Sequence, residues 1–257
     1  MKNTIGKILK KWRTQARYSQ FKLAIELDVS SKHISFIETG RSLPSKEMIL
    51  KICEFLQVPK GEINRTLNIA GYAPIYAELS SSDKSLEPVF DAIDNMIQSH
   101  MPYPALVLNQ YWDVVNTNDS AKSLLESLGY SEHTNLVEAL ISDNPKTSKI
   151  INWHETVSSV ATRLRQENSL LGSPQRLQEL ENKLSDCLQL SDSGYYPDTE
   201  EIVISTKIKL NNKELSYFSI IAQLGTVQDV TVSEYKVELM FPANTATKKY
   251  YISGAAE

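Results

Sequence analysis

Cysteine, histidine and glycine are sparse in this chain, and long apolar runs are missing from it. Cys53 and Cys187 are the only cysteines, far apart and each within an apolar helical pattern, which excludes a disulfide framework and a cysteine-based metal site. His33, His100, His133 and His154 are scattered, none has a paired nucleophile, and the nine glycines form no phosphate-cradling loop. No metal and no catalysis are therefore expected. Lys10 and Lys11 interrupt the amino-terminal apolar stretch before a signal-peptide core forms, and no later apolar run approaches ~20 residues. These absences point to a protein of the reduced cytoplasm that neither is exported nor crosses a membrane.

What the chain does contain is ordinary for a globular protein of two domains: 257 residues, 41% hydrophobic and 23% charged. The formal charge of −4 hides a division. Residues 1–72 hold thirteen Lys/Arg against six Asp/Glu, and residues 73–257 hold fourteen against twenty-five. A head of +7 on a body of −11 is the signature of a polyanion-binding module carried by an acidic one.

Within the head, Ile5, Ile8, Leu9 and Trp12 recur at helical spacing, as do Leu23, Ala24 and Leu27 after a potential cap at Ser19. Val29 turns toward the core, and Ser30 is placed to cap a third helix whose Ile34 and Ile37 face inward. Gly40 provides its stop. Ser45 can cap a fourth helix carrying Met48, Ile49, Ile52 and Phe55, and a fifth runs from about Gly61 to Gly71. The third helix opens on Ser30, Ser31, Lys32 and His33, polar residues at the head of an element whose rear is apolar. In a helix-turn-helix the second helix of the motif lies in the major groove and meets base edges with such residues. Phe36, one turn on, can touch a thymine methyl.

The stretch SQFKLAIELDVSSKHISFIETGRSLPSKEMILKICEFLQV resembles the DNA-binding domain of the phage-repressor, or Xre, family over about residues 5 to 70. The resemblance implies that Ser31, Lys32 and Phe36 face bases with His33 beside them, and that Gln20 approaches a phosphate or an outer base pair. It implies too that Arg41 and the Ser45 helix start hold backbone phosphate, that Ser30 belongs to the same DNA-binding set, and that Arg13 pairs with Glu38. Lys22 departs from the pattern, since an acid there would complete a capping box with Ser19. Phe36 replaces a residue that is polar in many relatives.

ELSSSDKSLEP reads as a linker, so the expected domains are 1–72, a connection at 73–85, and 86–257. Leu86, Val89, Phe90, Ile93, Met96 and Ile97 form an amphipathic helix. Ala105–Leu108 and Trp112–Asn116 read as strands joined at Asn109-Gln110, followed by a helix through Leu124, Leu125 and Leu128. Helices are expected at Ile150–Arg165 and Pro174–Leu190, the latter capped by Ser173 with Pro174 first. Strands are expected at Glu201–Leu210, Glu214–Leu224 and Tyr235–Phe241, and a turn at GYYPD. The head is thus an all-α five-helix unit and the body α+β and PAS-like, an antiparallel sheet with packed helices.

MPYPALVLNQYWDVVNTNDSAKSLL, with NWHETVSSVATRLRQE and AQLGTVQDVTVSEYKVELMFPANTATKKYY downstream, is similar to the ligand-sensing domain of MmyB-like regulators over about residues 86 to 251. Asn244 stands where that family typically has Asp. The resemblance implies a cavity for a small apolar ligand, a fatty acid or acyl derivative, and no other cofactor. Trp112, Val114, Phe218, Ile220 and Leu239 are the candidate lining, and Arg163 or Arg165 the candidate partner of a carboxylate. The expected protein is a one-component transcription regulator that binds an operator in double-stranded DNA as a homodimer. A competing reading makes the body a ligand-free interaction module, as in an antitoxin-like or phage-type repressor governed by a protein partner. A third places an enzyme behind the DNA-binding head.

Overall fold

The computed structural model describes residues 2–80, 83–190, 203–210, 212–224 and 229–254. The chain divides into two units, one built on residues 1–79 with two short later segments, the other on the remainder.

The first unit is a bundle of five helices: α1 (Lys2–Gln15), α2 (Gln20–Glu26), α3 (Ser31–Glu38), α4 (Lys46–Phe55) and α5 (Lys60–Ile69). Three of them begin at a serine whose side chain satisfies a backbone N–H that has no partner inside the helix. Ser19 accepts from Lys22, Ser30 from His33 and Ser45 from Met48, all on extended backbone. Ile5, Leu9, Leu23, Leu27, Ile34, Ile37, Ile49 and Leu67 close a single core. Between α2 and α3 the chain turns at Asp28, which adopts a left-handed conformation that a short polar side chain tolerates. The Val29 N–H then bonds back to the Ala24 carbonyl at 2.9 Å. Residues 73–76, part of the expected connection, are strapped to this bundle: buried Asn64 donates to the Tyr76 carbonyl and accepts from the N–H groups of Ile75 and Tyr76.

The second unit holds a five-stranded sheet of β1 (Ala105–Leu108), β2 (Val114–Thr117), β3 (Thr206–Leu210), β4 (Lys213–Gln223) and β5 (Lys236–Pro242). The order is β2-β1-β5-β4-β3, every neighbouring pair antiparallel. Its helices are α6 (Glu87–Ser99), α7 (Asp119–Leu128), α8 (Leu136–Ser142), α9 (Trp153–Leu170), α10 (Gln175–Leu190), the short α11 (Val230–Ser233) and α12 (Thr245–Gly254). The α+β expectation describes this unit. In α6, Ile93 and Ile97 are buried as the pattern requires, whereas Met96 lies on an exposed flank.

Several boundaries differ from the sequence reading, each for a local reason. Trp112 is not in a strand. The Asn109 side chain accepts from the N–H groups of Tyr111 and Asp113, closing a turn that leaves Trp112 left-handed and fully buried, so β2 starts at Val114. Ile150 is not helical either: it bridges to Ile208 and widens the sheet at the β3 edge, and α9 starts at Trp153. Ser173 does not cap α10, because a cap needs extended backbone and Ser173 has φ 57°. Its N–H instead bonds to the Asn168 carbonyl and terminates α9. Three helices, α8, the short α11 and α12, went unread. Asn135 starts α8 by accepting from Val137 and Glu138, and Asn244 starts α12 by accepting from Thr247. An Asp would accept equally well there, which accounts for the exchange at position 244. GYYPD lies outside the described residues, as does the start of the expected 201–210 strand.

Candidate DNA-binding surface and ligand cavity

The polar head of α3 is on the surface. Ser31 and Lys32 are exposed and His33 and Phe36 half-buried, while Ile34 and Ile37 are buried. The Phe36 ring lies between two cations, 5.5 Å from the Lys32 ammonium and 5.6 Å from the Arg41 guanidinium. The N–H groups of Arg41 and Ser42 both bond to the Phe36 carbonyl, which fixes where the chain leaves the helix. Ser30 and Ser45 accept the N–H groups of His33 and Met48 as caps, and the Ser45 hydroxyl also bonds to the Glu47 carboxylate, which helps hold that carboxyl below its usual value.

Behind this surface, Arg13 donates twice to Glu38, Nε to Oε1 at 2.6 Å and Nη2 to Oε2 at 2.8 Å, with both residues buried. The same guanidinium donates to the Tyr18 carbonyl. The pair thus joins α1, the α1–α2 turn and the end of α3. Gln20, expected to approach a phosphate or an outer base pair, is half-buried and its amide donates to Glu38 Oε2 at 2.7 Å. Lys22, in the place of a capping acid, lays its ammonium over the Tyr18 ring.

In the second unit a partly open cavity of about 100 Å³ lies between one face of the sheet and α7, α8 and α9. Leu106, Leu124, Leu128, Leu140, Ile208 and Met240 supply apolar wall, and Tyr130, Thr156, Ser219 and Glu238 supply polar atoms. None of the seven residues expected to line a pocket is on the wall of this cavity. Phe218, Ile220 and Leu239 are on the opposite face, where Ile220 pairs with Leu239 and Phe218 stacks on Phe241. Because strand side chains alternate, choosing the wrong parity moves a whole set across the sheet. The apolar alternation of Val237, Leu239 and Phe241 reports the α6 side, where His100 packs on Phe241. Val114 does not line the cavity, and Trp112 is buried with Arg163 4.0 Å and Lys236 4.6 Å from its ring centroid. Arg165 faces α10 and bonds to Glu181. Arg163 bonds Glu238 at 2.9 Å, so it reaches the cavity through a carboxylate of the protein itself. The sequence reading missed the whole wall, Glu238 and Met240 included; on β5 the signal, Glu238 between apolar Val237 and Leu239, reads as a solvent face.

Two titratable groups are held firmly here. Burial, then the neighbouring Asp143, pushes the Tyr130 phenol far above its ordinary range, and its hydroxyl donates to Asp143 at 2.8 Å. Burial alone would raise Asp113, but hydrogen bonds from Asn135, Asn109 and Arg176 outweigh it and hold its carboxyl below the usual value. Among the described residues no group of three or more His, Cys, Asp or Glu could hold a metal ion, and no helix is long and apolar enough to cross a membrane.

A capped two-helix corner with a polar, cation-flanked reading face defines a helix-turn-helix, and residues 9–63 match the helix-turn-helix family model. Joined to a cavity-bearing α+β unit, it makes a DNA-binding transcription regulator with a ligand-binding domain. Residues 89–250, well over half of the chain, match the model of the MmyB-like transcription regulator ligand binding domain, and the chain belongs to that family. Both are domains of regulators. No curated protein gives a match to the chain.

Proposed function

We propose that α3 enters the major groove of operator DNA as part of a homodimer, and that a small apolar ligand in the body alters that binding. The observation that carries the DNA side is the exposure of Ser31 and Lys32 on a helix whose Ile34 and Ile37 are buried. Lys32, Ser31 and Phe36 meet base edges, and Arg41 with the Ser30 O–H and the N–H groups at the Ser45 helix start meets phosphates. Gln20 acts from behind, through Glu38. A two-fold pair reads half-sites ~34 Å apart, giving the discrimination that one such head lacks. The strand order of the sheet supports a PAS-like sensor, and the absence of a membrane-crossing helix among the described residues is compatible with work in the cytoplasm.

The ligand class expected from the sequence is a fatty acid or acyl derivative. The cavity supports an apolar occupant, but at about 100 Å³ it is smaller than the ~300 Å³ at which drug-sized sites begin. A long chain would extend out through its open side or displace α7, α8 or α9, and such a displacement is one way for a ligand to favour one arrangement of the dimer over another. A second reading, a body that engages a protein partner, is favoured by the open sheet face, where Ile220 is 49% exposed beside half-buried Phe218 and Leu239.

Sequencing the DNA retained by the protein, then footprinting it with and without extracted lipid, tests both. A protected two-fold site whose occupancy responds to the extract supports the sensor. Protection that never responds favours a partner, and no protected site at all removes the regulator reading of α3.

A further inference from the structure

Phe21 and Ile25 are the most exposed large apolar side chains among the described residues of the five-helix bundle, at 67% and 61%. They lie one turn apart on α2, on the side away from buried Leu23, Ala24 and Leu27. Beside them runs a second stripe, exposed Lys22 and Glu26, also one turn apart. Both charges are set against the helix that carries them. Lys22 stands three residues after the Ser19 cap, where an acid would close a capping box and suit the positive end of the dipole. Glu26 ends the helix, where a cation would suit the negative end. Lysine before glutamate is also the weaker order for an intrahelical pair.

A second copy of α2 running antiparallel offsets both misplacements and covers the apolar stripe. A two-fold axis perpendicular to the two helices sets Phe21 against Ile25 of the other copy and Lys22 against Glu26 of the other copy, each twice. Every charge then meets its opposite and the opposite end of a dipole. We propose that α2 is the surface through which the DNA-binding heads of two copies meet. The apolar stripe supplies the attraction and the charged stripe fixes the antiparallel register. The two phenylalanines and two isoleucines bury of the order of 500 Å², under the ~1,000 Å² of a stable interface, so the contact forms between copies already held together. This rests on the homodimer reading and gives that dimer a contact surface in its head.

Two full chains, one Lys22→Glu and the other Glu26→Lys, are co-expressed under different affinity tags and treated with a carbodiimide, which joins a carboxylate to an amine in contact with it. Neither chain can link positions 22 and 26 within itself, since each carries one sign at both. Each substitution also suits the dipole of α2, so a missing contact does not come from a weakened helix. The expected result is co-purification of the two tags, with links from position 22 of one chain to position 26 of the other. Phe21→Ser with Ile25→Ser in both chains abolishes those links. Links confined to 22 with 22 and 26 with 26, or links that survive the serine substitutions, overturn the antiparallel contact. Co-purified chains with no link at these positions overturn it too, leave the homodimer standing and give the face to another occupant. Tags that never co-purify remove the homodimer reading along with it.

Discussion

Lys32 sits one turn before Phe36 on an exposed helix start, close enough to the ring to share it with Arg41. Lys32→Ala is expected to weaken operator binding by about 1–3 kcal/mol and relax preference at one base pair. Competition assays on a set of single-base operator variants check this; an equal loss on every sequence, with a shallower salt slope, would make Lys32 a phosphate contact. Glu38 is a different case, because its carboxylate receives Arg13 and Gln20 out of reach of water. Glu38→Ala leaves a buried guanidinium without its counter-charge and should lower stability by about 3–5 kcal/mol, read from urea unfolding. Replacing both partners, Arg13→Met with Glu38→Leu, should recover much of the loss. The register of the helix-turn-helix made Arg13 and Glu38 legible as partners. Gln20 was not legible as a third, because two ends of one carboxylate can be shared only when three helix positions meet in space.

The caps and the corner set the orientation of α3. Ser30→Ala removes the acceptor of the His33 N–H and should cost about 1 kcal/mol of stability, with a parallel loss of operator affinity as the first turn frays. Gly6 plays a part that no periodicity announces. A Cβ on it would overlap the carbonyl oxygens of Ile37 and Glu38, so α1 and α3 touch backbone to backbone there. Gly6→Ala should push the end of α3 away and lower stability by about 1–3 kcal/mol, measured by thermal unfolding. Among the strands, β1, β4 and β5 could be located from their apolar content. Which face of them met the cavity could not, since both faces of this sheet carry large apolar side chains and only the docking of α6 on one and α7–α9 on the other distinguishes them.

Across the whole molecule, acid stability and thiol chemistry follow from where the groups are buried. Asp113 titrates below its unfolded value of about 3.9, so its contribution to stability is complete above that pH and is lost as pH falls through the lower folded value. Urea midpoints measured from about pH 6 down to about pH 3 should therefore fall less steeply in Asp113→Asn than in the unmodified chain. Burial pushes the Cys53 thiol up to about 12, with Glu54 adding to it, so a thiol reagent should modify Cys187 in the folded protein and reach Cys53 only after unfolding. Sequence by itself determined the helical head, its serine caps, its reading helix and the α+β character of the body, because capping, periodicity and charge are local and repeat over a few residues. Tertiary structure alone decided that Gln20 binds Glu38, that Trp112 leaves its strand, and that Glu238 and Met240 wall the cavity. Those outcomes depend on which distant segments come into contact, and on a strand parity that local pattern leaves ambiguous whenever both faces are covered.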